Sequence, residues 1–459
     1  MSQGRGVRTR EVKMIRRRDL VVISAVVGLL LFLPCRNARA VPSYARQTGM
    51  ACNLCHRAFP QLTGFGRNFK ASGYTLTQLK QIESSEGGIT APLELNDVLP
   101  LSLMFQTSFT RTDESQPDTQ NNDIEFPQQL SIFVAGEITS HIGSFIQVTY
   151  TQVDDHITMD NTDLRVTDRT KLWDKDMVYG ATVNNNPTLE DLWNSTPAWG
   201  FAYASADSVP VPAAGALIDG ALAQQVFGVG GYGLWDQHFY VATAVYRSAQ
   251  IGGPQPPTDA SGDTIKDVAP YWRLAWQGTT GHGAFEVGTY GLFAQLYPDS
   301  VSGDVDKYTD AGFDFQVERT LGEDMLLFHG TYIYEHQDLA ATYAGGGSSN
   351  SGNDLHTFRV DGNYYLGGHV VFTLAGFLIR GDSDRLLYDS EDSLGRSANG
   401  SPDSDGLITQ LAYYPWQNVR LSAQYTAYFQ FNGAASNYNG AGRDASDNNT
   451  LYALLWLVW

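Results

Sequence analysis

From about residue 100 to its end the chain alternates apolar and polar side chains with a period of two. In Val419–Phe431 the odd positions are Val419, Leu421, Ala423, Tyr425, Ala427, Phe429 and Phe431, and the even ones are polar except for Tyr428. Phe313, Phe315 and Val317 alternate with Asp314, Gln316 and Glu318, and Leu101, Leu103, Phe105 and Phe109 with Ser102, Met104, Gln106 and Ser108. One apolar and one polar face over roughly 10 residues is the pattern of a barrel strand with lipid outside and a polar lumen inside. A soluble sandwich or propeller shares the alternation, so the connections decide. Short ones fall near Thr139–His141, Gly278–Thr280, Leu321–Glu323, Leu366–Gly368 and Pro415–Gln417; long polar ones occupy about 111–125, 186–215, 249–267, 336–353, 382–405 and 433–448. Short turns at one end and long loops at the other fit a membrane barrel and not a sandwich. The count predicts sixteen antiparallel strands over 97–459, with seven short turns and eight longer loops. The chain closes on Leu451–Trp459, an apolar strand ending on an aromatic residue, like the signal read by outer-membrane assembly machinery.

The first forty residues have a different pattern. A basic stretch (Arg16, Arg17, Arg18), an apolar run from Leu20 to Leu33 and Ala38-Arg39-Ala40 read as an export leader with its cleavage site. The run is too short for a membrane helix, which needs about 20 apolar residues. The leader carries nine of the basic residues and two of the acidic, which leaves 21 basic against 47 acidic groups beyond it. So acidic a chain does not suit nucleic acid, whose phosphates need Lys and Arg. Cys35 leaves with the leader.

The two remaining cysteines stand in Cys52-Asn53-Leu54-Cys55-His56, the C-x-x-C-H attachment motif of c-type haem. Two thiols at this spacing can each add to one vinyl group of a porphyrin edge, and the following imidazole then lies under the iron as proximal ligand. A thioredoxin-like redox pair would need alternating strands and helices around it, and the flanking sequence has none. The surrounding segment, Val41 to Asn96, predicts a small helical c-type cytochrome domain too short to fold on an apolar core alone. Phe59, Leu62, Phe65 and Phe69 are the natural packing partners of a covalent haem. No His or Met lies between Arg57 and Leu103, so the sixth ligand is open. Met104, placed on the inward side by the alternation, is one candidate; Lys70, His141 or a bound water are others, while Met50 lies too close to the motif.

Two further features stand out. The stretch Asn184-Asn185-Asn186-Pro187-Thr188, running on to Trp193, Pro197, Trp199 and Gly200, either folds back into the lumen or packs on the rim. Asp382, Asp384, Asp389, Glu391 and Asp392 form an acidic cluster that could attract cations.

Pro42-Ser43-Tyr44-Ala45-Arg46-Gln47-Thr48-Gly49, the haem motif, Phe59-Pro60-Gln61-Leu62, Phe65-Gly66-Arg67-Asn68-Phe69-Lys70 and Gly73-Tyr74 resemble the fused cytochrome–porin family, which includes outer-membrane iron oxidases. The Asn-Asn-Pro-Thr loop, Pro197–Phe201 and Asp447–Tyr452 are similar too, so the resemblance spans nearly all of the mature chain. It implies one haem c on Cys52, Cys55 and His56, held on the periplasmic side or in the lumen. It also implies electron transfer from an extracellular donor such as ferrous iron to a periplasmic cytochrome or other carrier. The alternative expectation is a transport porin whose haem is structural or regulatory.

Overall fold

A computed structural model describes residues 42–75, 98–117, 119, 121–153, 155–197, 201, 205–249, 256–258, 263–390 and 394–459, with the backbone of 81–84 and 93–96. The leader, Trp199, Gly200, Glu391 and Asp392 lie outside the described residues. Sixteen strands make one closed antiparallel barrel: β1 Leu101–Thr112, β2 Asp123–Thr139, β3 Ile142–Thr151, β4 His156–Leu172, β5 Lys175–Asn184, β6 Val226–Trp235, β7 Phe239–Ser248, β8 Ala269–Thr280, β9 Gly283–Tyr297, β10 Asp306–Leu321, β11 Asp324–Asp338, β12 Gly352–Leu366, β13 Val370–Gly381, β14 Ser404–Trp416, β15 Val419–Gln430 and β16 Thr450–Val458. Each pairs with the next, and β16 pairs with β1 from Thr450↔Thr112 to Val458↔Met104, so the ladder has no open edge. Closure is what lets strands cross lipid, because every backbone polar group finds a partner.

The alternation falls as the sequence requires. In β15 Arg420, Ser422, Gln424 and Thr426 are buried, while outward Phe313, Phe372 and Leu374 on β10 and β13 are 52 %, 50 % and 55 % exposed. An exposed apolar belt of this kind is covered by lipid in a membrane barrel. The chain is an outer-membrane β-barrel. Strand number and the seven-and-eight division of the connections match the expectation. Two short turns, 173–174 and 236–238, and the connection 152–155 at the opposite end carry neither Gly nor Pro to set them apart, whereas 298–305, at that same end, holds Pro298 and Gly303. β16 is apolar on both faces: Leu451, Leu455 and Leu457 point outward, and Tyr452, Leu454, Trp456 and Val458 are buried inward.

The inward apolar face has something to cover. Residues 42–75 run through the lumen at the short-turn end as three short helices: α1 Pro42–Thr48, α2 Cys52–Cys55 and α3 Gly64–Ala71. α3 starts where the Thr63 hydroxyl accepts the Gly66 N–H at 3.0 Å, a side-chain N-cap. It ends at Gly73, whose φ of +66° only glycine adopts without strain. Contacts to the wall run round the circumference. Ser43 donates to the Ala135 carbonyl on β2, Tyr44 to that of Ser144 on β3 (2.6 Å), and Tyr74 to Asp163 on β4 (2.6 Å). Arg67 pairs with Glu318 on β10, Tyr365 on β12 donates to Gln61, and Arg420 on β15 donates to the Phe59 carbonyl. Gly143 of β3 allows the closest approach, since a Cβ there would stand 2.0 Å from the Gly73 carbonyl oxygen.

The connection between β5 and β6 also enters the lumen. Its 3-10 turn Pro187–Glu190 and the following Asp191–Trp193 are buried, as is a second turn at Leu217–Ala221 in part. Of the two placements left open for this loop, the described part takes the lumen.

Candidate functional site

The C-x-x-C-H residues form one helical turn, closed by the His56 N–H donating to the Cys52 carbonyl at 2.8 Å. The turn is held from both sides. The Thr63 hydroxyl donates to the Leu54 carbonyl at 2.5 Å, and the Gln417 side chain at the β14–β15 turn accepts the Cys52 N–H at 3.2 Å. Gly66 lets α3 lie against it: a Cβ would come within 2.2 Å of the Cys55 carbonyl oxygen. Neither cysteine is in a disulfide. Burial pushes the Cys55 thiol up to about 11 and the His56 imidazole down to about 4, the nearby Pro60 and Gln61 backbone pulling His56 the other way. Both are therefore neutral at neutral pH. His56 Nδ1 is buried without a hydrogen bond of ordinary geometry.

Cys52, Cys55 and His56 line a cavity of about 200 Å³ whose wall is mostly carbon. Phe59, Leu62, Phe65 and Phe69 all line it, as do Phe133, Phe145, Trp456 and Val458 from the barrel. Phe59 links the two groups, with its ring 4.7 Å from that of His56 and 6.2 Å from that of Trp456. Met104 lines the cavity from β1; it is 1 % exposed, and its sulfur accepts a hydrogen from the Gln106 amide at 3.6 Å. Lys70 and Met50 reach the same cavity. His141 does not: it lies exposed at the β2–β3 turn, with Nδ1 3.1 Å from the Thr167 carbonyl.

Across the lumen the chemistry changes. Arg67 pairs with Glu318 at 3.1 Å, and Arg165 with Asp163 at 2.8 Å, all four buried. Lys70 donates to the Asp191 carbonyl at 2.8 Å, and burial lowers its ammonium to about 8. Arg273 of β8 meets Asp191, Glu286 and Asp314. The pairing of these groups is not legible along the chain, because period two marks an inward polar position such as Asp314 or Glu318 without naming its partner. The only available signal was that so many of the inward residues were fully charged.

The described members of the acidic cluster, Asp382, Asp384 and Asp389, are each engaged within the protein. Asp384 accepts from the Ser348 hydroxyl, the Asn353 amide and the backbone of Ser349, Asn350, Leu386 and Leu387, which hold it well below the usual carboxylate range. Asp389 pairs with Arg396 at 2.6 Å, and Asp382 accepts the Asp354 N–H. Among the described residues no three His, Cys, Asp or Glu side chains gather as a metal site.

No family model and no characterised protein matches the chain in sequence. Solved structures do match. A loop-deletion mutant of the outer-membrane protein OmpT of Vibrio cholerae is 14 % identical over 78 % of this chain and 98 % of its own, with a TM-score of 0.44. The outer-membrane channel DcaP of Acinetobacter baumannii is 11 % identical over 78 % and 96 %, TM-score 0.43. An anion-selective porin from Comamonas acidovorans is 9 % identical over 78 % and 98 %, TM-score 0.44. At these identities and scores the likeness transfers no role.

Proposed function

We propose that this outer-membrane barrel carries one haem c in its lumen and passes electrons from an extracellular donor, ferrous iron first among them, to a periplasmic carrier. The observation that supports it is convergence: two cysteines outside any disulfide, a neutral histidine, four phenylalanine and leucine side chains and a methionine line one apolar cavity. The residues present fit the group. Cys52 and Cys55 would hold it by thioethers, His56 would be the proximal ligand and Met104 the distal one. Haem c, when bound, supplies one-electron exchange. The chain's own part is to fix the ligands and exclude water; a methionine sulfur raises the potential relative to a second histidine. Residues 41–96 are then the cytochrome part and 97–459 the barrel, with the short-turn end in the periplasm.

The second reading is a transport channel in which haem is structural or regulatory. It has the strand count in its favour, since barrels of 16–18 strands leave an aqueous channel in porins. Residues 42–75 and 187–193 inside the lumen weigh against a wide pore.

One preparation decides between them. The full chain, matured in cells able to attach haem c, is purified from outer membranes and its spectrum, midpoint potential and reduction by ferrous iron are measured; the same sample is placed in planar bilayers. Expected are covalent haem, reduction by ferrous iron and little steady conductance. Haem-free protein with large steady conductance would overturn the electron-transfer reading in favour of the channel, and haem that ferrous iron leaves oxidised would remove iron as donor.

A further inference from the structure

The turn 187–195 lies between the cavity and the charged wall, and Thr188, Leu189, Asp191, Leu192 and Asn194 line the cavity. Its hold on the wall has an uneven charge balance. The Arg273 guanidinium, itself fully buried, donates from Nε to Asp191 at 3.2 Å, from Nη2 to Glu286 at 3.0 Å, and from Nη1 and Nη2 to Asp314 at 2.5 and 2.7 Å. All three carboxylates are buried too. Asp191 belongs to the turn, whereas Asp314 on β10 and Glu286 on β9 belong to the wall. One cation therefore stands between a carboxylate on the turn and two on the wall.

Neutral contacts add to this. The Ser195 hydroxyl donates to Asp314 at 2.5 Å; Asp191 accepts the N–H of Trp193 at 3.2 Å and of Ser195 at 2.5 Å. The Trp193 ring lies between two guanidinium groups, 5.2 Å from that of Arg273 and 5.8 Å from that of Arg67. Tyr240 and Arg165 donate to the Glu190 and Leu189 carbonyls. None of these can offset carboxylate repulsion in a site closed to water, where charges interact far more strongly than in bulk solvent.

We infer that Arg273 is the positioning residue that keeps the 187–195 turn seated as the inner wall of the cavity, and that it acts by its charge. Without it, Asp191 faces Glu286 and Asp314 with no guanidinium shared between them, Lys70 being held on the Asp191 carbonyl and Arg67 on Glu318, and the turn is driven off the wall. Neutralising Asp191 as well removes the repulsion, while the Asn oxygen still accepts the Trp193 and Ser195 amides. What the cavity holds rests on the electron-transfer reading; the seating of the turn does not.

Hydrogen exchange of the Trp193 and Ser195 amides in the full chain tests this, in haem-loaded and haem-free samples alike. Arg273→Met should speed exchange by at least about tenfold, since removing the cation leaves uncompensated charge on both turn and wall; Arg273→Met with Asp191→Asn should return it to within a few-fold of the parent, because a neutral turn is not repelled by the two carboxylates that stay on the wall. Asp191→Asn alone should leave protection nearly unchanged. Parent-like exchange in Arg273→Met, or a double variant as fast as the single one, overturns the proposal in favour of simple packing. Should Arg273→Met fail to form a barrel, the double variant decides: folding with a protected turn supports the charge argument, and failure of both refutes it. The same pattern in a chain that takes up no haem even in cells able to attach it would leave the proposal standing while the reading above fell.

Discussion

Two halves of one lumen wall face each other here, and they are built on opposite principles. Beside β1, β2 and β16 the inward residues that meet the cavity segment include Met104, Phe133, Ala135, Leu454, Trp456 and Val458, packed with Cys52 and Phe59. Beside β4, β8, β9 and β10 they are Arg165, Asp163, Arg273, Glu286, Asp314 and Glu318. The charged half is satisfied from within, because each cation has a carboxylate and each carboxylate of these pairs a donor. The apolar half encloses the cavity, where side chains forgo contacts that a filled core would give them. A barrel lumen can be closed by ions that pair or by carbon that packs. Only the second kind of closure leaves room for a flat apolar ligand, and that is the half in which the two thiols and His56 lie.

The largest effect that could break this comparison is all or none. Cys52→Ala with Cys55→Ala should abolish covalent porphyrin, read as haem stain after denaturing electrophoresis, while the barrel still assembles in the outer membrane. Its ladder runs from β1 to β16 without using residue 52 or 55. Next comes the charged half. Arg67→Met leaves Glu318 with the neutral Gln316 amide at 2.8 Å and Arg57 at 3.4 Å, the latter partly exposed, and should cost about 3–5 kcal/mol in chemical unfolding of the purified barrel. A variant unfolding at the parent's denaturant concentration would show the pairing to be ornamental. The apolar half should be gentler. Met104→Ala should cost about 2 kcal/mol, the low end for a buried methionine because the site already adjoins open space, and Met104→Leu less than about 1.5. The leucine variant separates packing from ligation: in the haem-loaded protein it should lower the midpoint potential and remove the sulfur–iron charge-transfer band. An unchanged band would pass the ligand role to Met50, the other methionine that lines the cavity, whereas a parent without the band would point to Lys70.

The two halves were unequally legible. Lipid imposes period two on each strand separately, so β10 and β15 could be read alone and the inward side of Met104 followed from its even neighbours. β16 could not be divided that way, because both its faces are apolar, and Leu454 and Trp456 gave no hint that they faced a cavity. The turn at Trp173-Asp174 was hidden by the absence of Gly or Pro. The charged half was the least readable. Arg273 meets Asp314 through the β8–β9–β10 register and Asp191 through a loop that re-enters the lumen, and neither distance along the chain is encoded locally. The C-x-x-C-H motif was clear because its chemistry is fixed by spacing alone, whereas Arg67 and Tyr74, which anchor the same segment to the wall, were visible only as part of a family resemblance.

The smallest effect sets the halves against each other by pH. Glu190, on the charged side, is buried beside Asn184 and Arg165, and burial raises it to about 7, with Arg165 and Lys70 pulling down and Asp163 pushing up. Its folded value exceeds the ordinary 4.5, so its contribution to stability is whole below that pH and is lost as pH rises through about 7. His56, on the apolar side, is shifted the other way, from 6.5 to about 4: its contribution is whole above 6.5 and is lost as pH falls through 4. In the Cys52→Ala, Cys55→Ala chain, which carries no covalent haem, these slopes oppose each other between 4.5 and 6.5. Each is at most about 1.4 kcal/mol per pH unit. Glu190→Gln should therefore uncover a stability that rises with pH over that interval and is flat from 6.5 to 7, measured as unfolding midpoint below pH 8 so that Lys70 stays out of range. A profile unmoved by Glu190→Gln would mean that this carboxyl is not shut off from water, and the charged half of the lumen would then be wetter than its burial implies.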